Sequence, residues 1–264
     1  MLIPRLEEAN IRFWTTIYSQ CIERANIRVP FDNLDSGTRV LSNYAECDTY
    51  IALFGGHHFH KLYNAFARTK FQYTEGKKIE IIDWGCGQAL ATCVLIDYLI
   101  QNGIRANIDY ITLIEPSSIA LERGCEFIKN MFQNQIGTQA IVKTINKNIG
   151  DVKESDLLFD GNTSNVKVHL FSNIIDVEFV NPRSLHSLIV SSFKGLNRFV
   201  CTSPYNQGSI RLELFHEHFT RSHDVKNMSK DNTTINKEIY NVLTRCYEVY
   251  SISRRDIQFS VYLD

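Results

Sequence analysis

KIEIIDWGCGQALATCVLIDYL, residues 78–99, is the stretch of sequence that decides the fold. Its apolar first half predicts a buried strand that ends in Asp83, a glycine turn follows, and a helical pattern begins near Gln88. In an open α/β sheet, ligands bind beyond the carboxyl ends of the strands, where glycine lets the first turn approach them closely. Gly85 and Gly87 occupy these turn positions. The stretch therefore predicts a ligand site at the end of a first parallel strand.

Short apolar runs alternate with helical stretches from residue 79 onward, as in a parallel sheet with crossover helices. The predicted strands are 79–83, 110–115, 140–145, 166–172, 198–202, 247–251 and 258–263. The predicted helices between them are 90–102, 117–133, 182–194 and 210–219. The last two strands are separated only by residues 252–257, with a turn at 253–256, so we expect them to pair antiparallel. Residues 222–236 are polar and nearly free of aliphatic side chains, which predicts a mobile loop or lid.

The residues before the first strand predict a helical cap. Apolar positions recur at helical spacing within residues 5–25, and residues 28–37 have the composition of a loop. Residues 38–70 predict two or three helices that are interrupted at Gly55-Gly56. We therefore divide the chain into an N-terminal helical cap, residues 1–75, and an α/β domain, residues 76–264.

Composition and charge argue against several broad classes of function. The chain of 264 residues is 44% hydrophobic and 22% charged, with a formal net charge of −1, which leaves nucleic acid unsupported as a partner but does not exclude it. No apolar run approaches the ~20 residues of a membrane span, and the first residues lack a signal-peptide pattern, so we expect a cytoplasmic protein without membrane contact. Seven cysteines without a CxxC pair indicate neither a disulfide framework nor a zinc ribbon.

Dinucleotide binding is the main alternative for the glycine turn. Gly85 and Gly87 could begin a GxGxxG fingerprint, but Leu90 stands at the third glycine position. Glu115, the acid that ends the second strand, lies 28 residues beyond Gly87, further than the usual ~20. A tight turn without a ligand is the simpler alternative, in which Glu115 merely caps the following helix.

The acid-x-Gly-x-Gly turn and Glu115 together resemble the class I S-adenosylmethionine-dependent methyltransferases, over about residues 78–205. The resemblance implies a Rossmann-like, seven-stranded, mostly parallel sheet with an antiparallel last strand, helices on both faces, and S-adenosylmethionine as cofactor. It implies that the glycine turn holds the methionine and ribose part and that Glu115 accepts from both ribose hydroxyls. The residues after the third strand would frame the adenine, and those after the fourth would face the reactive end. The candidate cofactor-binding residues are Asp83, Gly85, Cys86, Gly87, Gln88, Glu115, Pro116, Ser117, Asn148, Ile149, Asn173 and Ile174.

The acceptor site is less well defined by the sequence. The Asn/Asp-Pro-Pro-Tyr run of amino-methylating relatives is missing after the fourth strand, which reads FSNIIDVEF at residues 171–179, and Thr-Ser-Pro-Tyr follows the fifth strand at 202–205. The cap segment 50–66 concentrates three histidines and Lys61, any of which could contact the cofactor or the acceptor or simply pack. These histidines lack an acid or cysteine at a metal-ligand spacing, so we expect no metal. The candidate catalytic residues are Asp176, His57, His58 and Tyr205, and the expected acceptor is a small molecule.

The order of elements also resembles bacterial relatives of the GRAS-domain proteins, which have a methyltransferase-like fold under a helical cap. Both turn glycines are present here, which favours a cofactor-binding member over a binding-only one. This resemblance leaves a second function open, a catalytically inactive methyltransferase-like domain that acts in ligand sensing or protein interaction. A third, an NAD-dependent oxidoreductase, is the function that the dinucleotide alternative implies.

Overall fold

The computed structural model describes residues 11–25, 34, 38–69, 77–104, 106–133, 140–157 and 164–264. The predicted loop 28–37 lies outside the described residues, apart from residue 34, and so does the first part of the predicted helix 5–25. All structural statements below concern the described residues.

A seven-stranded sheet forms the centre of the fold, with strand order β3-β2-β1-β4-β5-β7-β6. The strands are β1 Lys78–Trp84, β2 Asn107–Ile114, β3 Ile141–Ile145, β4 Val166–Ser172, β5 Gly195–Pro204, β6 Val225–Asn241 and β7 Cys246–Leu263. Strands β1 to β5 pair in parallel, whereas β7 pairs antiparallel with both β5 and β6. The Rossmann-like, mostly parallel sheet with an antiparallel last strand is therefore confirmed.

Helices cover both faces of this sheet. They are α1 Ser19–Arg24, α2 Tyr44–Tyr50, α3 Gly56–Thr69, α4 Leu90–Gln101, α5 Ser118–Gln133, α6 Glu154–Leu157, α7 Pro182–Ser192 and α8 Ile210–Thr220. One apolar cluster joins α3, α4 and α5 to one face of the central strands, and a second joins α7 and α8 to the other. Because β1 is covered on both faces, six of its seven residues are buried.

The cap contains one continuous helical run where the sequence predicted an interruption. A π-helical segment, Ile51–Gly55, joins α2 to α3, and Gly56 has helical angles of φ −64° and ψ −44°. The predicted break at Gly55-Gly56 is therefore wrong. The two glycines serve packing, because a Cβ on Gly55 would lie 3.3 Å from Cδ2 of Tyr18 and one on Gly56 would lie 2.5 Å from Cγ2 of Ile239.

Strands β6 and β7 form a long hairpin that corrects the sequence prediction in two places. Most of residues 222–236, predicted as a loop or lid, belongs to β6, and the predicted turn 253–256 lies in the middle of β7. The predicted strands 247–251 and 258–263 are the two ends of β7, and the turn of the hairpin lies at 242–245. The polar residues suggested a loop because β6 is an edge strand with partly exposed side chains. In such a strand, charged side chains prevent pairing with the edge of another sheet.

A buried ion pair within β7 and hydrogen bonds from this strand to α3 hold the hairpin to the cap helix. Arg254 and Asp256 are fully buried and paired with each other, and Arg254 Nη2 donates to Asn64 Oδ1 at 2.6 Å. Gln258 Nε2 donates to the Ala65 carbonyl at 2.7 Å. The charges at 254–256, which resemble a surface turn in the sequence, therefore fix the cap helix against the sheet.

Candidate functional site

The glycine turn between β1 and α4 keeps its backbone in the left-handed region. Gly85 has φ +60° and Gly87 φ +52°, and Ala89 follows with φ 57° before α4 begins at Leu90. A Cβ on Gly87 would meet nothing within 4 Å, whereas one on Gly85 would lie 2.6 Å from Cγ1 of Ile174. Gly87 thus exposes its backbone to open space, and Gly85 admits a side chain from the end of β4.

Asp83 orients this turn from below. Its carboxylate accepts from the Thr92 backbone N–H at 3.1 Å and from the Thr92 hydroxyl at 2.7 Å. Burial, with a smaller contribution from the charge of Glu115, raises the pKa of Asp83 from 3.8 to about 7. Asp83 lies behind the turn, where it fixes the start of α4.

Glu115 follows β2 directly and connects two backbone segments. Its Oε2 accepts from the Gly87 N–H at 3.1 Å, and its Oε1 accepts from the Ser117 N–H at 3.0 Å. Burial raises the pKa of this carboxyl group. Each carboxylate oxygen has two acceptor positions, so both oxygens can still accept a donor from a ligand.

A pocket opens at the carboxyl ends of β1, β2 and β4, with the segment after β3 at its side. Eight of the candidate cofactor-binding residues line it: Gly85, Gly87, Glu115, Pro116, Asn148, Ile149, Asn173 and Ile174. Cap residues 38–41 and Tyr50 form the opposite wall, and Val177 and Phe179 complete it on the β4 side. The structure thus gathers four chain segments and the cap around one space, at the position where open α/β sheets bind ligands.

The remaining candidate cofactor-binding residues hold the walls in place. The Cys86 N–H donates to the Ile114 carbonyl at 3.0 Å. Gln88 Nε2 donates to the Cys47 carbonyl at 3.0 Å, and the Ser117 hydroxyl donates to the Leu41 carbonyl at 2.6 Å. Gln88 and Ser117 therefore connect the cap to the sheet.

Asn173, at the end of β4, is held by the cap helix α3. Its backbone is left-handed, with φ 55°. Lys61 Nζ donates to its Oδ1 at 2.7 Å, and its Nδ2 lies 2.6 Å from His58 Nε2. Because the amide oxygen faces the ammonium group, the amide nitrogen donates to an unprotonated Nε2 of His58. Burial and the Lys61 charge lower the pKa of His58 well below its usual value, in agreement with this neutral imidazole.

The buried Lys61 and the half-buried Asp176 are the charged groups near Asn173. Lys61 is only 4% exposed, and burial lowers its pKa to about 8. Burial also raises the pKa of Asp176, whose Oδ1 is buried without a hydrogen-bond partner among the described residues. The sequence prediction did not include Lys61 among the candidate catalytic residues. Its position one helical turn after His57 and His58 places it on the same side of α3, and this spacing could have pointed to it.

The other two candidate catalytic residues have different neighbours. Burial and the charge of the nearby Lys61 lower the pKa of His57, but its ring packs against Tyr250 of β7, with ring centroids 5.2 Å apart. Tyr205 is 57% exposed and lines a separate open groove with Asn206 and Arg255. The structure therefore brings His58 and Asp176 to the Lys61–Asn173 cluster, places His57 at its margin, and places Tyr205 outside it.

Two further properties concern the described part of the chain as a whole. In it, no three His, Cys, Asp or Glu side chains come together in a way that could hold a metal ion. None of its helices combines the length and the apolar character needed to cross a bilayer.

Comparison with known proteins gives remote structural likenesses. No protein-family model and no curated protein sequence matches the chain. Among solved structures, the plantazolicin methyltransferase in complex with S-adenosylhomocysteine is 11% identical with a TM-score of 0.46, and the alignment covers 94% of this chain and 100% of that one. An S-adenosylmethionine-dependent O-methyltransferase from Thermotoga maritima is 12% identical with a TM-score of 0.43, over 76% of this chain and 64% of that one. A tRNA (m1A58) methyltransferase from Aquifex aeolicus is 13% identical with a TM-score of 0.41, over 76% and 69%. We base the proposed function on the chain's own residues.

Proposed function

We propose that this protein is an S-adenosylmethionine-dependent methyltransferase that acts on a small molecule. The observation that carries the proposal is the position of Glu115, whose carboxylate lies in the pocket beside the left-handed turn of Gly85 and Gly87. A carboxylate with two unused acceptor positions suits a vicinal diol such as a ribose.

The residues present fit such a cofactor. S-adenosylmethionine supplies an electrophilic methyl group on a sulfonium centre. Gly87 leaves open space above its backbone, Glu115 offers acceptors for ribose hydroxyls, and Asn148 and Ile149 provide a polar and an apolar wall for an adenine. Asn173 lies on the far side of the pocket from these residues, next to β4. Methyl transfer needs chiefly that the acceptor be held in line with the methyl group, so positioning by these walls is the main demand on the protein.

A small acceptor fits the way in which the cap covers this pocket. Residues 38–41 and Tyr50 wall it on the cap side, and Phe179 walls it near β4. With a net charge of −1, the chain has no excess of basic residues that would attract a polyanion. Asp176 is the half-buried acid next to the acceptor side, where it could accept a proton from the acceptor.

A catalytically inactive methyltransferase-like domain is the second candidate function. It is favoured by Asn173, whose amide is already engaged by Lys61 and His58, so that a target amine would have only one acceptor position of its oxygen. In that case the pocket binds the cofactor but no methyl group is transferred.

Calorimetry with S-adenosylhomocysteine, S-adenosylmethionine, NAD⁺ and NADH tests the proposal. We expect the two adenosyl ligands to bind and to raise the melting temperature, and Glu115→Ala to weaken them about tenfold or more, the value of a lost pair of charge-assisted hydrogen bonds. Asp109→Ala is the matched control, because Asp109 lies near the opposite end of β2 and pairs with Lys78 at the surface. Binding of nicotinamide cofactors alone, or of neither class, would contradict the proposal.

Transfer of label from methyl-labelled S-adenosylmethionine separates the active from the inactive candidate. We expect labelled product with a small-molecule cell extract and none with purified RNA. Cofactor binding without transfer to either fraction would favour the inactive domain.

A further inference from the structure

Lys61 is a buried cation that interacts with the charge of Asp176 at a distance. Among the described residues it forms no ion pair, and its one hydrogen bond goes to the amide oxygen of Asn173. An ammonium group has three donors, so two of them are left for another partner. Removing a charge from water without pairing it is costly, and an anion placed beside it offsets that cost.

The position of Lys61 indicates where such an anion would come from. Asn173, its hydrogen-bond partner, lines the pocket at the end of β4, while Glu115 lines it at the end of β2. Strand β1 lies between β2 and β4, so these two ends are separated by two strand spacings, roughly 10 Å. A ligand that extends from Glu115 across the glycine turn therefore ends at the Lys61–Asn173 pair.

We infer that Lys61 binds the carboxylate of the amino-acid half of the adenosyl cofactor, at the cap-side end of the pocket. This inference rests on the proposed function, because it takes the ligand to be a nucleoside joined to an amino acid. It assigns to α3 a direct role in holding the donor, with Asn173 positioning the ammonium group. Lys61 thereby makes the cap part of the binding site as well as its cover.

The histidines and the tyrosine around Lys61 add no positive charge that would bind the anion. His57 and His58 on α3 and Tyr50 before it are neutral near pH 7, because burial lowers the pKa values of the histidines and raises that of the tyrosine. Asp176, after β4, is the nearby acid. Lys61 is therefore the cation of this cluster, and it becomes neutral as the pH rises through about 8.

Binding of S-adenosylhomocysteine and of 5′-methylthioadenosine tests the inference, because the second ligand lacks the amino-acid half. We expect Lys61→Met to weaken S-adenosylhomocysteine binding about 10- to 100-fold and to change 5′-methylthioadenosine binding less than twofold. Lys61→Arg, which keeps the charge, should retain part of the lost affinity. Lys78→Met, a lysine removed at the opposite end of β1, should leave both ligands unaffected.

The protonation of Lys61 gives a second measurement. At pH 8 the free wild-type protein holds Lys61 only partly protonated, so binding of the carboxylate should draw in a fraction of a proton. The heat of S-adenosylhomocysteine binding should then depend on the ionisation enthalpy of the buffer, and this dependence should be reduced in Lys61→Met. The α-amino group of the ligand titrates in both proteins, so the difference between them isolates Lys61.

Two results would overturn the inference and leave the proposed function intact. One is equal S-adenosylhomocysteine affinity in wild type and Lys61→Met. The other is an equal loss of both ligands in Lys61→Met, which would indicate a structural role. If neither ligand binds the wild-type protein, the proposed function fails together with the inference. Melting temperatures of all variants confirm that they are folded.

Discussion

The donor side of the pocket, built from the glycine turn and Glu115, contains buried acids, whereas the cap side, built from α3 and Asn173, contains buried bases. Burial raises the pKa of Asp83 to about 7 and raises that of Glu115. Burial lowers the pKa of Lys61 to about 8 and that of His58 well below its usual value. Desolvation therefore moves both sets toward their neutral forms, and a zwitterionic ligand could restore charge on each side.

The two sides also differ in how far apart their residues lie in the sequence. On the donor side, the bonds from Thr92 to Asp83 and from Gly87 to Glu115 span 9 and 28 residues. On the cap side, the bond from Lys61 to Asn173 spans 112 residues. The donor side is thus a local structure that the first two strands define, while the cap side exists only when distant parts of the chain have packed together.

Gly85→Val breaks the donor side and has the largest expected effect. The substitution places a branched side chain at φ +60° and against Ile174, so it disturbs the floor of the pocket. We expect S-adenosylhomocysteine binding to fall by at least roughly 100-fold in calorimetry. Far-UV circular dichroism should remain close to that of wild type, because the sheet is held by its own core.

Gly103→Val is the matched control for this variant. Gly103 has φ +63° but a Cβ there would meet nothing within 4 Å, so it bears the same backbone strain without touching the pocket. Its melting temperature should fall, but by less than that of Gly85→Val because it lacks the contact with Ile174, while its ligand affinity stays at the wild-type level. Equal loss of affinity in both variants would mean that general destabilisation, and not the turn, is responsible.

Arg254→Met breaks the attachment of the cap side and has the next largest effect. It removes one partner of a fully buried ion pair and leaves Asp256 with only the more distant Arg68 as a cation, which costs up to about 3–5 kcal/mol of folding free energy. Urea unfolding measures this loss. Arg221→Met, in an exposed pair with Glu217, should cost less than about 0.5 kcal/mol.

The same variant also separates the two sides in ligand binding. Where Arg254→Met is still folded, we expect 5′-methylthioadenosine to bind nearly as in wild type, because the donor side does not depend on the hairpin. S-adenosylhomocysteine should bind more weakly, since α3 is less firmly held. Parallel loss of both ligands would show that the two sides are not independent.

Asp83→Asn tests the buried acids that distinguish the donor side from the cap side, and it has the smallest expected effect of the three variants. An acid whose pKa rises from 3.8 to about 7 on folding keeps its proton in the folded state and loses it in the unfolded state between these values. Wild-type stability should therefore fall as the pH rises through this range. Asn can still accept from Thr92 and carries no charge, so the variant should be more stable than wild type at pH 8 by roughly 1–3 kcal/mol, and about equal to it at pH 4.

Unfolding free energies at the two pH values measure this effect. Asp109→Asn serves as the matched control, because Asp109 lies in β2 and pairs with the exposed Lys78 of β1. A greater gain at pH 4 than at pH 8 would reverse the assigned sign and contradict the burial of a protonated Asp83.

The sequence was sufficient to predict the glycine turn and Glu115 of the donor side and the positions of the first five strands along the chain. A buried parallel strand, a left-handed turn and an acid at a strand end each leave a short-range pattern of apolar residues, glycine and Glu115. Eight of the twelve candidate cofactor-binding residues line one pocket as a result. Their binding of a cofactor stays a prediction.

The cap side and the hairpin could not be obtained in this way. Arg254 and Asp256 pair with each other two residues apart, but their remaining partners, Asp231 on β6 and Asn64 and Arg68 on α3, are distant in the sequence, so no local pattern predicts that this pair is buried. The polar residues of β6 resemble a loop because the strand lies at the sheet edge. Lys61 resembles a surface lysine until Asn173, 112 residues later, is placed beside it.

The hairpin also has a consequence for the order in which the protein folds. Strand β6 pairs with β7 only, and β7 lies between β6 and β5, so β6 cannot join the sheet until β7 has been made. The cap helix α3 is synthesised about 190 residues before Arg254, its partner through Asn64. During synthesis, the donor side can form early from adjacent segments, and α3 can pack its apolar residues against α4, whereas the polar contacts of α3 with the hairpin must wait for the last strand. Because β5 is paired on that side only by β7, its open edge is most exposed to aggregation just before β7 emerges.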